Sequence, residues 1–363
     1  MEGPLADPPR AALARVQGLI YTRPSIGNSK HFHSQADETM RATGFSMVWA
    51  GLALLAFGCR EPAAPPVEPA ADEDVSAVAE DAPPAAPEAD DEEAAAAALE
   101  ALGATIRRDG EGRVILVDLR SQTFDEADLA PLADLAAVRD VRLSGTPVTD
   151  DGVALLAGQT SLRAVALDDT IVTDAALDHL ATLPQLEALF LTRTFVSDAG
   201  LARLAGLSHL RRMRLRGTQV TDAGMAHLAA LPALEEVDLS ETAVGDPGLA
   251  ELKASSSLAR LNLWTTEFTD AGVEHLAEMP QLTWLNLDNT ALTDAGVERL
   301  AALENLEFLH LGRTAITDAA VETLAELTNL EELHVTRTDM SEDAADRLRA
   351  LLPECEVISV VDP

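Results

Sequence analysis

"TQVTDAGMAHLAAL", residues Thr218–Leu231, returns along the chain with small changes: "TPVTDDGVALLA" from Thr146, "TALTDAGVERLAAL" from Thr290 and "TAITDAAVETLAEL" from Thr314. The leucine that closes the apolar "LxL" just before each phrase stands at Leu119, Leu143, Leu167, Leu191, Leu215, Leu239, Leu263, Leu287 and Leu311, and Val335 follows. The interval is 24 residues every time. A fixed period in the twenties, held without an insertion, describes a solenoid whose units bury their apolar faces only by stacking on one another.

Each position in the unit has a physical reason. The leucines of "LxL", such as Leu261 and Leu263, lie two apart and point to one face of a short strand, inward. Successive strands then lie side by side in a parallel sheet. The threonine three residues on (Thr146, Thr170, Thr194, Thr218, Thr242, Thr266, Thr290, Thr314, Thr338) turns the chain inward, where its hydroxyl can bond backbone freed by the bend. Stacked, these threonines are expected to form a ladder linking the turns. Val220 comes next, then Thr221-Asp222, which reads as a helix start: the hydroxyl caps free N–H groups and the carboxylate sits at the positive helix end. A small residue two further on (Gly152, Ala176, Gly200, Gly224, Gly248, Gly272, Gly296, Ala320) lets neighbouring helices approach. Met225, Leu228 and Leu231 form the buried helical stripe. Pro184, Pro232 and Pro280 stop it.

The consensus "LxxLxxLxLxxTxVTDAGLxxLAxL" resembles the leucine-rich repeat family, in particular bacterial repeats with Thr where the signature often carries Asn or Cys, over about residues 114–363. The resemblance implies an α/β, right-handed solenoid with a parallel β-sheet on the concave face and helices on the convex face. It also implies that the concave sheet binds a protein or peptide. Open solenoids need capped ends. "AAAAALEALGATIRRDGEGRVILVDL" reads as a helix and a hairpin turning at Asp109-Gly110, and "LRALLPECEVISVV" as a last helix and a closing strand holding a buried Cys355.

Ahead of the repeats, "MRATGFSMVWAGLALLAFGCREP" from Met40 has the anatomy of a signal peptide: one Arg, an apolar run from Phe45 to Phe57, then Gly58-Cys59. The run is short for a span, which needs about 20 apolar residues. Cys59 after Gly58 resembles the lipobox of bacterial lipoproteins, although Ala56 and Phe57 stand where that family usually has Leu and a small residue. The resemblance implies lipidation of Cys59 and a membrane-anchored lipoprotein of the cell envelope, periplasmic or at the cell surface. Residues 1–39 form a polar leader without periodicity, and translation is expected to start at Met40. Residues 60–95 are Ala, Pro and Glu/Asp, too polar to fold, and read as an extended acidic spacer before the repeat domain at 96–363.

The net charge of −35 excludes nucleic acid, whose phosphates need clustered Lys and Arg. Two cysteines, Cys59 and Cys355, give neither a disulfide framework nor a Cys-based zinc site. No G-x-S-x-G, HExxH, P-loop or Rossmann glycine pattern occurs, so no catalytic residue and no cofactor is assigned.

With the inward positions used, function is left to the outward ones. Arg212, Arg214 and Arg216 alternate on one strand, with Arg193 at the edge of the preceding unit, as a basic patch in an acidic chain. Trp284 and Phe308 are ladder neighbours about 4.8 Å apart by strand spacing, with Arg260 beyond Trp284 and Trp264 at the far end of that strand. These residue types dominate binding hot spots. The alternative is a solvated ladder in which Arg260 stacks on Trp284 and Arg pairs with Glu across strands. His310 and His334 lie side by side and extend the patch; with Asp288 diagonal to them they raise a metal site, but two imidazoles fall short of the usual three or four ligands. The expected protein is an exported, lipid-anchored, monomeric and non-catalytic binder of a protein or peptide. A passive envelope or assembly component is the second reading, and a metal-dependent enzyme using His310 and His334 a distant third.

Overall fold

The structure, a computed structural model, describes residues 89–359; the leader, the signal segment with Cys59 and the spacer up to residue 88 lie outside the described residues. An Ala-rich helix, Ala89–Ala101, comes first, with Asp90, Asp91 and Glu92 in its first turn. The spacer read from composition as reaching residue 95 therefore yields its last residues to this helix. Alanine is the strongest helix former, and carboxylates favour the positive helix end.

Twelve strands follow in one sheet, ordered as in the sequence. They are β1 (Thr105–Arg108), β2 (Val114–Asp118), β3 (Asp140–Arg142), β4 (Ala164–Ala166), β5 (Ala188–Phe190), β6 (Arg212–Arg214), β7 (Glu236–Asp238), β8 (Arg260–Asn262), β9 (Trp284–Asn286), β10 (Phe308–His310), β11 (Glu332–His334) and β12 (Glu356–Ile358). The expected hairpin is present: β1 pairs antiparallel with β2, and Asp109 Oδ1 holds the turn by accepting from the N–H groups of Glu111 and Arg113. Every later pair is parallel and matches residues 24 apart, as in Leu261↔Leu285↔Leu309. The closing cap is the helix Glu342–Leu351 followed by β12. The chain is thus an α/β leucine-rich repeat solenoid, with the sheet on one side and helices on the other.

The ten residues from Leu119 to Val335 that define the period are all buried. Helices on the other side are brief, for example Asp174–Leu180 and Asp198–Leu201, because a 24-residue unit leaves them one or two turns. Helices so short are not stable alone; the apolar stripe read from sequence holds them, with Met225 and Leu228 at 0% exposure.

The threonine hydroxyls bond backbone at the bend as expected, but they do not form the expected ladder between units. Each hydroxyl donates to the carbonyl three residues earlier in its own unit: Thr218 to Leu215 at 2.6 Å, Thr242 to Leu239 at 2.5 Å and Thr266 to Leu263 at 2.7 Å. A short hydroxyl reaches back one turn but does not span two strands. The cross-unit link comes from the aspartate of "TD". Asp198 accepts from Thr221 N at 2.8 Å and Thr221 Oγ1 at 2.7 Å, 23 residues on. Asp150 does the same for Thr173, Asp174 for Ser197, Asp246 for Thr269, Asp270 for Thr293, Asp294 for Thr317 and Asp318 for Ser341. Glu126 heads the series on Thr149. Each hydroxyl still caps its own helix; Thr221 Oγ1 accepts from Ala223 N at 3.3 Å. The small residue of the phrase lies under this carboxylate: a Cβ on Gly224 would come within 2.5 Å of Asp198 Oδ1. A methyl there needs only a small local shift, because Ala176 and Ala320 hold the equivalent places while the bonds of Asp150 and Asp294 are kept.

One unit lacks the hydroxyl. Gly245 stands in the Thr221 position, so Asp222 gains only the Gly245 N–H, at 2.7 Å. The backbone there is extended, φ −131°, and a Cβ would meet nothing nearer than Glu267 O at 3.5 Å. Gly245→Thr is therefore expected to supply the missing cross-unit bond to Asp222, although not the helix cap made in other units, because Pro247 two residues on has no N–H, and to stabilise the protein by about 1 kcal/mol. Urea denaturation would show a higher midpoint with an unchanged slope. A lower midpoint would mean that the site rejects the side chain.

Candidate recognition face

The parallel register places the outward residues in rows, and where flat side chains fall in one row they stack. Trp284 on β9 and Phe308 on β10 are Cα partners, and their rings lie 4.7 Å apart at 7°. The Arg260 guanidinium on β8 lies 5.0 Å from the other face of Trp284, within cation–π range. Phe308 continues to the His334 ring at 5.4 Å, and His334 to His310 at 4.4 Å. The result is one row of ring contacts from β8 to β11, stacked at Trp284–Phe308 and tilted by 49° at Phe308–His334. Both faces of Trp284 are covered from within the molecule, so the half-buried rings present edges outward. This geometry suits end-on packing against a partner's side chains better than stacking of a flat ligand.

Trp264 lies two residues past β8 and is also covered on two sides, by Arg216 at 4.5 Å and Arg313 at 5.8 Å. Each guanidinium is held by an acid 25 residues away. Arg216 bonds Glu241 through Nε and Nη2, at 3.2 and 3.0 Å, and Arg313 Nε bonds Asp288 Oδ1 at 2.9 Å with Nη2 on the other oxygen. The bond to Asp288 pushes the Arg313 pKa up. Trp264 Nε1 is buried without a hydrogen-bond partner. Arg313 and Glu241 escaped the reading of outward columns because they sit in the turn one residue later, where the backbone is left-handed, φ +53° and +56°. The available signal was the shared offset of 25 between residues of opposite charge.

The basic patch is divided rather than continuous. Arg216 is bonded to Glu241, Arg193 pairs with Asp169 at 3.3 Å, and Arg260 faces Glu236 at 3.7 Å. Arg214 lies over Phe190 at 4.7 Å. Arg212 and Arg214 are exposed, and neither forms an ion pair with a described residue. Both parts of the alternative reading are thus present, the Arg260–Trp284 stack and pairing across strands.

His310 and His334 are neighbours as expected, but their rings are inclined by only 20° in the stack. Imidazole lone pairs lie in the ring plane, so rings stacked face to face do not converge on one ion. His334 Nε2 is engaged with Glu332 at 2.5 Å, His310 Nδ1 accepts from Gly312 N–H at 3.3 Å, and Asp288 belongs to Arg313. Among the described residues no group of three His, Cys, Asp or Glu is arranged to hold a metal. Burial pushes the His310 pKa down, and Asp288 at 4.0 Å opposes this only in part. Cys355 lies just before β12, not in it, and is half-buried rather than buried; burial, with Glu332 and Glu356 nearby, raises its thiol to about 11 and keeps it protonated.

No protein-family model matches the chain, and no curated protein matches it significantly. Among solved structures, the chain is similar to an internalin (inlF) of Listeria monocytogenes at 17% identity, covering 76% of this chain and 96% of that one, TM-score 0.47. It is similar to a TDR receptor at 15% identity, covering 68% of this chain and 43% of that one, TM-score 0.47. Internalin C2 (inlC2) of the same Listeria is similar at 22% identity, covering 74% and 92%, TM-score 0.39.

Proposed function

We propose that this chain is an exported recognition protein, anchored in a bacterial envelope by lipid on Cys59 and binding a protein or peptide through the outward face of its sheet, without catalysis and as a monomer. The observation that carries the reading is the row of contacts from Arg260 through Trp284 and Phe308 to His334, flanked by Trp264 between two guanidiniums. Tryptophan supplies large contact area with few rotatable bonds, and arginines already held by acids lose less freedom on binding; such residues in preorganised clusters dominate binding energy. A solenoid that needs only aliphatic inward rows for stability gains nothing in its core from two outward tryptophans. Export and anchoring rest on the segment from Met40 to Cys59, and distance from the membrane on the acidic spacer.

The test is capture. The full chain and a Trp264→Ala/Trp284→Ala/Phe308→Ala version are immobilised and exposed to solubilised bacterial envelope and culture medium. A protein retained by the first and lost from the second is expected, with both baits folded by circular dichroism. Identical profiles would transfer the assignment to a passive envelope component.

A further inference from the structure

The sheet face is charged unevenly, and its unused hydrogen-bonding groups are mostly donors. In Asn262 and Asn286, Oδ1 accepts from the backbone N–H two residues on, Trp264 N at 3.1 Å and Asp288 N at 2.9 Å. That fixes both carboxamides: the oxygen faces the turn and Nδ2 faces away. Neither Nδ2 donates to any described residue, and the two asparagines are Cα partners on β8 and β9. Asp238 in the same row spends Oδ1 on Ser240 N and Oγ at 3.0 and 2.5 Å. On β6, Arg212 and Arg214 point outward without an ion pair, while the adjacent Arg211 is bonded to Glu235. Between these groups lies a depression of ≈ 190 Å³ lined by Arg214, Glu236, Asp238, Arg260, Asn262 and Trp284.

The geometry points to an acidic peptide segment as the occupant of this face, its carboxylates held by Arg212 and Arg214 and an apolar side chain set against the edges of Trp284 and Phe308. This rests on the recognition reading above and specifies its partner. Three features argue for it. Arg212 and Arg214 are two residues apart on one strand face, a spacing of about 7 Å, and alternate side chains of an extended peptide have the same spacing. Asn262 Nδ2 and Asn286 Nδ2 offer donors to backbone carbonyls, while Glu236 and Asp238 in the depression suit a partner's N–H. Finally, in a chain with 61 acidic and 26 basic residues, Arg212 and Arg214 form no ion pair with their Cα partners Glu236 and Asp238, Asp238 being turned to Ser240, so both guanidiniums stay open to a partner's carboxylates.

The probe is a displayed library of random peptides selected on the full chain. Sequences with Asp or Glu two apart and an aromatic or aliphatic residue about four to six positions away are expected, since β9 and β10 lie three and four strands from β6. The best of them, synthesised and labelled, should lose about tenfold in affinity on Arg212→Ala/Arg214→Ala and weaken as salt rises. Arg214→Glu should turn the selection toward Lys and Arg. Both arginines are exposed, and unchanged melting temperatures would verify that the variants fold. Neutral or basic winners, or acidic winners indifferent to the arginine variants, overturn the acidic assignment while leaving recognition standing if Trp284→Ala abolishes their binding. No enrichment over the Trp264/Trp284/Phe308 alanine version removes both.

Discussion

Asp198→Ala is expected to lower the unfolding free energy by about 2–4 kcal/mol, although no core atom is removed. The carboxylate takes two charge-assisted bonds from Thr221, in the next unit, and rests on Gly224. Alanine leaves the Thr221 N–H without its acceptor and opens a gap over the glycine. Asp198→Asn keeps one acceptor without the charge and should lose roughly half as much. In a stacked array such losses fall on the interface between units, so a central position costs more than a frayed end. Urea midpoints at constant slope measure all of this. A loss within about 0.5 kcal/mol would leave the aspartate only its helix-end role. The same bonds predict a sign for pH. Ser341 N and Oγ hold the Asp318 carboxyl below its ordinary value, so its contribution is complete above the unfolded carboxylate pKa and fades as pH falls through the depressed one. Gly224→Ala should cost little, since Ala176 and Ala320 occupy the equivalent position while the bonds of Asp150 and Asp294 remain at 2.6–2.8 Å.

The second large effect lies in the core. Phe268, 1% exposed, occupies the place filled by Val148, Val172, Val196, Val220 and Val244 in earlier units and by Leu292 and Ile316 in later ones. Its ring packs on Gly272, where a Cβ would come within 2.7 Å of it. Phe268→Ala should therefore cost about 3–5 kcal/mol, from lost burial and the cavity left between rigid neighbours. Phe268→Val, the residue most units carry, should still cost about 1–3 kcal/mol, because the buried ring is larger than valine and its loss leaves a cavity. The reverse change, Val244→Phe, should destabilise by overpacking. Thermal melts of the three variants distinguish a site shaped for Phe268 from a position indifferent to size; near-equal melting temperatures for Phe and Val would establish the latter.

How far the sequence carried depends on whether a partner lies in register. Trp284 and Phe308 were legible as neighbours because a 24-residue period and parallel pairing put them opposite each other, and the 4.7 Å stack followed. His310 and His334 were legible as neighbours too, but not as a face-to-face stack, since ring orientation depends on Glu332 and Gly312. Arg212, Arg214 and Arg216 looked alike in sequence. They differ in space because Glu241, in a left-handed turn, reaches Arg216 while no described carboxylate reaches the other two.

By itself, the sequence determined the solenoid, its register and its inward and outward rows, because spacing alone decides which side chains share a face once each unit must bury leucines against the next. Tertiary structure alone decided that aspartates, and not a ladder of threonines, tie units together, and which arginines remain without acids. Those outcomes turn on hydrogen-bond distances of a few ångströms between residues 23 to 25 apart, and no periodicity encodes the direction in which a side chain leaves its turn.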